Sequence, residues 1–410
     1  MTISLIKTKY QSPYDNIIKE IHKKEIKVND YFKLNKLCYL GSRKPFFQYD
    51  GKIPDEDLVG WSIRKTDFLN LGVVAGSGIG KTRVIKNIIS AYWKQGFKIL
   101  IFCPKTDEWS SAKKKGSGVK LHHYSKNESL PVVNYCPSYV KAYMEQKGMS
   151  TNGYKFYSHR INTFRNKEIW ETLGLSPGVS NFCVGLVKEG VKNLKDIQKK
   201  IKRSSLMSIS KLSADNKIES LFGSEFINDR LNELDLKKEW AKENIISLNY
   251  FSQKGFLMST DVWRVIEQIR EYAQDNISKG EFQPILILFD DVNYYADKSK
   301  DYNKYSIGAI LDCQVNFRRF GINNITAFQF PDVVASEIVQ GSDQKLVSYL
   351  EKPNTLSGIL PEEAIYILKA NTENGGLMVD QRNYNIEWIW REKGREFYRF
   401  FPEDCKVGHD

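Results

Sequence analysis

The chain has 410 residues, of which 41% are hydrophobic, so it can bury one large core or two to three ordinary ones, which excludes a tail or linker. Its 61 Lys and Arg against 49 Asp and Glu give a net charge of +12, which favours polyanionic partners, although the same charge would also serve solubility alone. Six scattered cysteines without C-x-x-C spacing and no run of about 18 apolar residues argue against a zinc site, a signal peptide and a membrane span, so we expect a reduced cytoplasmic protein.

The first recognisable elements follow a mixed, polar N-terminal extension over residues 1–60. An apolar stretch, "FLNLGVVA", predicts a strand, "GSGIGK" predicts a loop, and "TRVIKNIISAYWKQG" has the apolar spacing of an amphipathic helix. A second apolar strand, "FKILIFCPK", follows. This strand, loop, helix and strand form a βαβ unit of a parallel sheet, which we assign to residues 61–110 as the first part of the core.

Residues 111–242 are the least readable region, and we expect a mainly helical insertion there. One helical stretch is predicted at 155–174. A second, at 186–203, carries seven basic residues against two acidic ones and predicts a basic amphipathic helix. Its charged side fits an ordinary solvated face, and it also fits a contact surface for nucleic-acid phosphates or a neighbouring subunit.

The core resumes at residues 243–410. In chain order we predict a strand at "ENIISLNYF", a helix at "TDVWRVIEQIREYAQD", a buried strand at "ILILF", a helix at "SIGAILDCQVNFRRFG" and a strand at "INNITAFQFPD". The last hundred residues include "EAIYILKA" and "YNIEWIWREKGREFYRFF", whose alternation predicts strands at a sheet edge or in a hairpin.

The glycine-rich loop carries the first chemical signal. A phosphate-binding loop needs glycines that let backbone N–H groups point inward, a lysine that reaches the β- and γ-phosphates, and a hydroxyl for Mg²⁺. The strand before this loop and the helix after it are the context that the motif requires. Its predicted nucleotide-binding residues are Ala75, Gly76, Ser77, Gly78, Ile79, Gly80, Lys81 and Thr82.

Two aspartates end the strand "ILILF". Asp290 stands where a carboxylate would hold Mg²⁺ together with Thr82, and Asp291 is placed to act as the general base for the attacking water. Asp291 also fits a plain turn residue at a strand end. Arg318 and Arg319 are candidates for the cation that stabilises the transferred phosphoryl group, although both also fit ordinary surface arginines. Gln329 ends a strand where ligands of open α/β sheets gather.

Together these pieces resemble the FtsK/HerA superfamily of P-loop DNA-pumping ATPases. The resemblance rests on "VVAGSGIGKT", "ILIFCPKTDEW", "ILILFDDV" and "NFRRFGINNITAFQFPD", and covers roughly residues 60–110 and 243–375. Two positions depart from the usual pattern, since Ala75 replaces the first glycine and Asp291 replaces a catalytic glutamate. Paired aspartates are similar to the viral genome-packaging branch, which includes the poxvirus-type packaging ATPases.

The resemblance implies a RecA-like P-loop NTPase of the additional-strand type, with a mostly parallel central sheet flanked by helices. It also implies ATP and Mg²⁺ as ligands, Lys81, Asp291, Arg318 and Gln329 as catalytic residues with Arg318 as a finger acting on a neighbour, and a hexameric ring around double-stranded DNA. We therefore expect a genome-packaging translocase of a virus or mobile element, with a capsid or portal-vertex protein as a further candidate partner and the host cytoplasm or the virion as its place. The alternatives are a conjugative DNA-transfer ATPase, a protein-assembly or secretion ATPase, and a nucleotide-dependent switch.

Overall fold

The computed structural model of the chain describes residues 37–44, 57–63, 68–77, 79–105, 120–121, 130–228, 232–253, 255–369, 379–380, 385–392, 397–402 and 405–406. Most of the expected N-terminal extension and the phosphate-loop residue Gly78 lie outside these ranges. None of the helices within them is both long and apolar enough to cross a membrane.

The strands and helices are numbered in chain order. The strands are β1 (Leu37–Ser42), β2 (Leu58–Ser62), β3 (Asn70–Val74), β4 (Lys98–Cys103), β5 (Lys120–Leu121), β6 (Val132–Pro137), β7 (Tyr154–Tyr157), β8 (Ile245–Asn249), β9 (Ile285–Phe289), β10 (Ile322–Phe328), β11 (Gln344–Val347), β12 (Val379–Asp380), β13 (Asn385–Ile386), β14 (Trp388–Arg391), β15 (Phe397–Pro402) and β16 (Cys405–Lys406). The α-helices are α1 (Lys81–Lys94), α2 (Ser138–Gln146), α3 (Lys167–Thr172), α4 (Pro177–Lys188), α5 (Leu194–Arg203), α6 (Ser208–Ser224), α7 (Leu236–Ala241), α8 (Phe256–Ser278), α9 (Lys304–Val315), α10 (Ser336–Gly341) and α11 (Glu362–Lys369).

Within the described residues a 12-stranded sheet runs through the molecule in the order β2-β1-β15-β14-β11-β3-β10-β9-β4-β8-β6-β7. The strands from β11 to β7 in this order pair in parallel, and those from β14 to β2 continue the sheet in antiparallel pairs. Strand β10 lies between the phosphate-loop strand β3 and the aspartate strand β9. The predicted fold class, a mostly parallel α/β P-loop sheet with an additional strand at this place, is therefore confirmed.

Helices cover both faces of the parallel strands, which explains why these strands are apolar along their whole length. Every residue of β9 has an exposed fraction of 0%. Helix α1 places its apolar face on one side of the sheet, in one hydrophobic cluster with alternate residues of β3, β4 and β9. The other side chains of β4 and β9 share a second cluster with α8 and α9.

The region 111–242 contains helices α2 to α7, and it also contributes strands to the sheet. Helices α3 to α6 enclose a hydrophobic cluster of their own around Trp170. Strands β6 and β7, by contrast, extend the parallel sheet beyond β8. The helical stretch predicted at 155–174 was therefore wrong over its first part, because Tyr154–Tyr157 is a strand and α3 begins only at Lys167.

The predicted basic helix at 186–203 is interrupted. Helix α4 ends at Lys188, Gly190 has a φ of +88°, and α5 begins after Asn193, whose side chain accepts a hydrogen bond from the Asp196 backbone N–H at 2.9 Å. A single continuous helix was thus wrong because a left-handed glycine and a new N-cap separate two helices. The predicted amphipathic character was right, since α5 buries its apolar side chains Leu194, Ile197 and Ile201.

The C-terminal strand predictions are confirmed in part. Strands β14 and β15 pair antiparallel as a hairpin would. The stretch "EAIYILKA", however, is not a strand, because residues 362–369 form α11. The helix buries Ala364, Ile365 and Leu368, a helical spacing, and carries Glu362 and Glu363 in its first turn, where carboxylates stabilise the helix dipole.

Two buried polar clusters join the region 111–242 to the rest of the sheet. In the first, Asp261 of α8 accepts hydrogen bonds from Tyr157 and Tyr250 at 2.6 Å each and lies 2.7 Å from His159 Nε2. In the second, Glu239 of α7 accepts from Tyr135 at 2.8 Å within the region and from Asn244 Nδ2, just before β8, at 2.8 Å. Since an unpaired buried polar group is costly, these clusters favour one arrangement of the elements that supply them.

Candidate nucleotide site

The carboxyl ends of β3, β9 and β10 lie at one edge of the sheet. Val74 pairs with Phe328, and Thr326 pairs with Phe289, so the residues that follow these strands meet at the same place. This edge holds the phosphate loop after β3, the aspartate pair after β9 and Gln329 after β10. Open α/β sheets bind ligands at such an edge.

The start of the phosphate loop is fixed by its neighbours. The Ala75 N–H donates to the Phe328 carbonyl at 3.3 Å, and the Gly76 N–H donates to the Tyr349 carbonyl at 2.8 Å. A Cβ placed on Gly76 would lie 3.3 Å from that same Tyr349 oxygen, so a larger residue would push against backbone. The close approach of these segments explains the small residues at 75 and 76.

The end of the loop becomes the first turn of α1. Gly80 is the N-cap residue with a φ of 91°, and Lys81 and Thr82 follow as the first helical residues. Gly80 has no side chain that could cap this helix end, and the first turn of α1 carries no acidic residue. Backbone N–H groups at such an end bind phosphate favourably, because the helix dipole is positive there. Ser77 is exposed and Ile79 is half-buried in the same loop.

The aspartate pair is buried and ordered by hydrogen bonds. Asp290 is 3% exposed, its N–H donates to Phe102, and its Oδ1 accepts the Asp291 N–H at 3.0 Å. Tyr295 donates to the Asp290 carbonyl at 2.8 Å. Burial and the nearby carboxylates of Asp290 and Asp291 raise the pKa of the Tyr295 phenol, so it remains a donor at neutral pH.

Asp291 lies between two lysines. Its backbone has a φ of 41° in the left-handed region, unusual for a residue other than glycine. Its Oδ1 lies 3.4 Å from Lys81 Nζ, and its Oδ2 lies 2.5 Å from Lys105 Nζ. The predicted neighbours Lys81 and Asp291 are thus brought together, and Lys105 is an addition that the sequence assignment did not include.

Oxygen atoms at this edge suit Mg²⁺, the ion that accompanies ATP. Within the described residues the buried Oδ1 of Asp291 accepts no hydrogen bond, although Lys81 Nζ lies 3.4 Å away. The Asp290 carboxylate and the half-buried Thr82 lie after β9 and β3, the strands on either side of β10. Mg²⁺ prefers oxygen ligands and is usually bound by one or two carboxylates together with phosphates. Among the residues that the structure describes, no group of three or more His, Cys, Asp and Glu forms a metal cage of protein ligands alone.

Gln329 is attached to the aspartate turn through a residue that the sequence assignment missed. The Gln329 N–H donates to Asn293 Oδ1 at 3.2 Å, and Asn293 Nδ2 donates to the Phe330 carbonyl at 2.8 Å. Asn293 therefore bridges the turn after β9 and the end of β10. Its place two residues after the aspartate pair was the available sequence signal.

Arg318 does not join these residues. It lies in a short 3₁₀ turn, Phe317–Phe320, just before β10, and its guanidinium packs over the Phe68 ring at 5.6 Å, just before β3. Both contacts are at the amino ends of their strands. A strand of seven residues such as β10 spans about 20 Å, so exposed Arg318 is far from the phosphate loop of its own chain.

Solved structures with a similar fold include VirB4 of Thermoanaerobacter pseudethanolicus. The TM-score is 0.53 at 12% identity, and the match covers 89% of this chain and 96% of that one. The plasmid coupling protein TrwB in complex with ADP and Mg²⁺ matches with a TM-score of 0.48 at 11% identity, covering 84% and 88% of the two chains. The genome-packaging NTPase B204 from Sulfolobus turreted icosahedral virus 2 matches with a TM-score of 0.37 at 10% identity, covering 83% and 99%.

No protein-family model and no curated protein matches the chain. The likeness to VirB4, at low identity, concerns the fold. It agrees with the strand order around the phosphate loop and with the motifs at the carboxyl edge of the sheet. The chain has the P-loop ATPase fold that its FtsK/HerA-like motifs predict.

Proposed function

We propose that the chain is an ATP-driven double-stranded DNA translocase that packages the genome of a virus or mobile element. The observation that carries this proposal is the division of the predicted machinery between two edges of the sheet. The phosphate loop, the aspartate pair and Gln329 lie at one edge, and Arg318 lies at the other. Such a division suits a site shared by adjacent subunits of a ring, as the FtsK/HerA resemblance implies.

In this proposal Asp291 accepts a proton from the water that attacks the γ-phosphate in line. Lys81 and the backbone N–H groups of the phosphate loop stabilise the negative charge of the phosphates. Thr82 and Asp290 would hold Mg²⁺, which when bound would neutralise charge on the phosphate oxygens. Gln329, placed by Asn293, orients the water or senses the γ-phosphate.

Arg318 would act on the site of an adjacent subunit. Its exposure makes it available to a neighbour, and its distance from the loop of its own chain argues against a role there. A ring, expected to be a hexamer, would supply one such arginine to each site.

The charge of +12 and the exposed lysines of α5, among them Lys199 with 70% of its side chain exposed, suit a contact with DNA phosphates. A capsid or portal-vertex protein is the further partner that packaging would require.

The first test is ATP hydrolysis with and without duplex DNA. We expect turnover that DNA raises at low salt, and less stimulation as salt rises, because salt weakens phosphate contacts. Lys81→Ala should abolish turnover together with nucleotide binding. Asp291→Asn should still bind ATP but lose about 100-fold or more in rate, since it lacks the general base.

Three results would each contradict the proposal in a different way. Equal rates with and without DNA, together with no duplex binding at low salt, would point to an ATPase that acts on protein. ATP binding with barely any turnover in wild type and both variants would indicate a nucleotide-dependent switch. Electron-microscope images with an ATP analogue and duplex DNA that contain only single chains would exclude a ring.

A further inference from the structure

The Asp291 carboxylate has two lysine partners, one for each oxygen. Lys81 Nζ approaches Oδ1 at 3.4 Å and Lys105 Nζ approaches Oδ2 at 2.5 Å. The Asp291 side chain is 7% exposed, and so is that of Lys81, whereas Lys105 is 32% exposed. The shorter and less buried contact is therefore the one to Lys105.

Lys105 belongs to a different part of the fold from Lys81. It follows β4, the neighbour of β9 in the sheet, and Pro104 precedes it. The Cys103 carbonyl accepts the Tyr250 N–H at 3.0 Å, and the Pro104 carbonyl accepts the Ser252 N–H at 2.6 Å. These bonds attach the segment before Lys105 to the end of β8, so its position does not depend on the phosphate loop.

The two lysines would respond differently to ATP. The phosphates compete with Asp291 for Lys81, because the lysine of a phosphate loop reaches the β- and γ-phosphates. A buried carboxylate that loses its only cation is strongly destabilised, and it tends to move towards another partner. Asp291 can act as a general base only if its carboxylate stays in place.

We propose that Lys105 is a positioning residue that keeps the Asp291 carboxylate in place and oriented after ATP has drawn Lys81 to its phosphates. The inference rests on the proposed ATP hydrolysis and adds to it a residue that acts through Asp291. Lys105 thus serves turnover, whereas Lys81 serves both binding and turnover. The left-handed backbone of Asp291, with a φ of 41°, sets the position of its carboxylate before ATP binds, and Lys105 keeps the carboxylate in that position afterwards.

The test compares Lys105→Met with Lys105→Arg in steady-state ATP hydrolysis. Methionine keeps the length of the half-buried side chain and removes the charge. We expect kcat to fall about 10- to 100-fold in Lys105→Met, with KM and the affinity for a fluorescent ATP analogue changed about twofold or less. Lys105→Arg should recover a substantial part of kcat, because it restores a cation.

Lys98→Met is the matched control. Lys98 is also half-buried and begins β4, the strand that Lys105 follows, and its Nζ donates to the Trp240 carbonyl at 2.7 Å. Its loss should affect stability and leave kcat near the wild-type value. A merely structural role for Lys105 would make Lys105→Met resemble this control.

The failures can be told apart. If wild type hydrolyses ATP and Lys105→Met has the same kcat, the role of Lys105 is overturned and the proposed function stands. If wild type itself shows no turnover under any condition, the proposed function fails and this proposal fails with it. If Lys105→Met does not fold, Lys105→Arg becomes the test. A Lys105→Arg variant that folds but is as inactive as Asp291→Asn would overturn the proposal, because its cation should support turnover.

Discussion

Gly80 combines a left-handed backbone with open space around its α-carbon. Its φ is 91°, and among the described residues a Cβ placed there would meet Arg83 Cδ alone, at an ordinary 3.5 Å. Substitution would therefore act through the backbone and not through a clash, since an L-residue is strained at positive φ. Any change in nucleotide binding would then report on the conformation of the loop.

We predict that Gly80→Ala lowers the free energy of unfolding by about 1 kcal/mol and weakens ATP binding by about tenfold. Relaxation of the residue would turn the first N–H groups of α1 away from the phosphates. Gly148→Ala is the control, because Gly148 also has a positive φ, of 64°, with nothing within 4 Å of a Cβ, and follows α2. Urea unfolding and titration with a fluorescent ATP analogue measure the two effects, and equal ATP affinity in both variants would contradict the prediction.

Sequence motifs were sufficient to select candidate residues that lie within one short segment. Lys81 and the aspartate pair are each recognisable from a few neighbouring letters, and the structure brings them together. Lys105 lies within one of the recognised motifs but was not assigned to the site. Its contact with Asp291 exists because β4 lies beside β9, and that adjacency depends on the sheet order and not on any local pattern.

At the scale of elements, Glu239 is a buried acid at a junction. Helix α7 presents it to Tyr135 of β6, Lys155 of β7 and Asn244 before β8. Burial opposes its ionisation, but the hydrogen bonds from Lys155, Tyr135 and Asn244 outweigh burial and lower its pKa from 4.5 to about 2. The ionised form therefore stabilises the fold.

We predict that Glu239→Gln is about 2 kcal/mol less stable than wild type at neutral pH. This value is discounted for solvent screening, because half of the Lys155 side chain is exposed. Since the folded pKa lies below the unfolded one, the difference should be full above pH 4.5 and should shrink as pH falls towards about 2.

Urea unfolding of both proteins at pH 7, 5 and 3 measures this difference, at pH values chosen to lie above and within the expected window of about 4.5 to 2. Glu145→Gln is the control, because Glu145 is exposed and pairs with Lys141 only at the surface. A gap between wild type and Glu239→Gln that is independent of pH would contradict the assignment.

Sequence patterns predicted the apolar strands around the phosphate loop and missed others. Strands β3, β4, β9 and β10 were predicted because parallel strands under two helical layers are apolar throughout. Strand β6 was missed although five of its six residues are buried. Strand β7 was missed because its four residues, buried at both ends and exposed or half-buried between them, are too few to distinguish from a helix. Helix α11 was mistaken for a strand because its apolar residues fit both the two-residue period of a strand and the 3.6-residue period of a helix.

At the scale of the whole molecule, the separation of Arg318 from the phosphate loop defines a test of sharing between subunits. We predict that Arg318→Ala and Asp291→Asn are each inactive alone, and that a mixture of the two recovers part of the wild-type ATPase rate. In mixed rings some sites receive Arg318 from one subunit and Asp291 from the next.

Arg319→Ala is the matched control for this mixing experiment. Arg319 is adjacent and exposed, and its guanidinium packs over the Phe320 ring at 4.8 Å. It should retain activity alone. A mixture of Arg318→Ala and Asp291→Asn that stays inactive at every ratio would argue that Arg318 acts within its own chain or has no role.

The length of β10 has a consequence for the chain before assembly. Under the proposed function, a dilute subunit would bind ATP at one edge of its sheet while its candidate finger Arg318 lay at the other edge, so hydrolysis would require a neighbouring subunit. The rate per subunit should then rise with protein concentration and level off once rings are complete. Newly made chains would bind ATP without hydrolysing it, and closure of the ring would start hydrolysis.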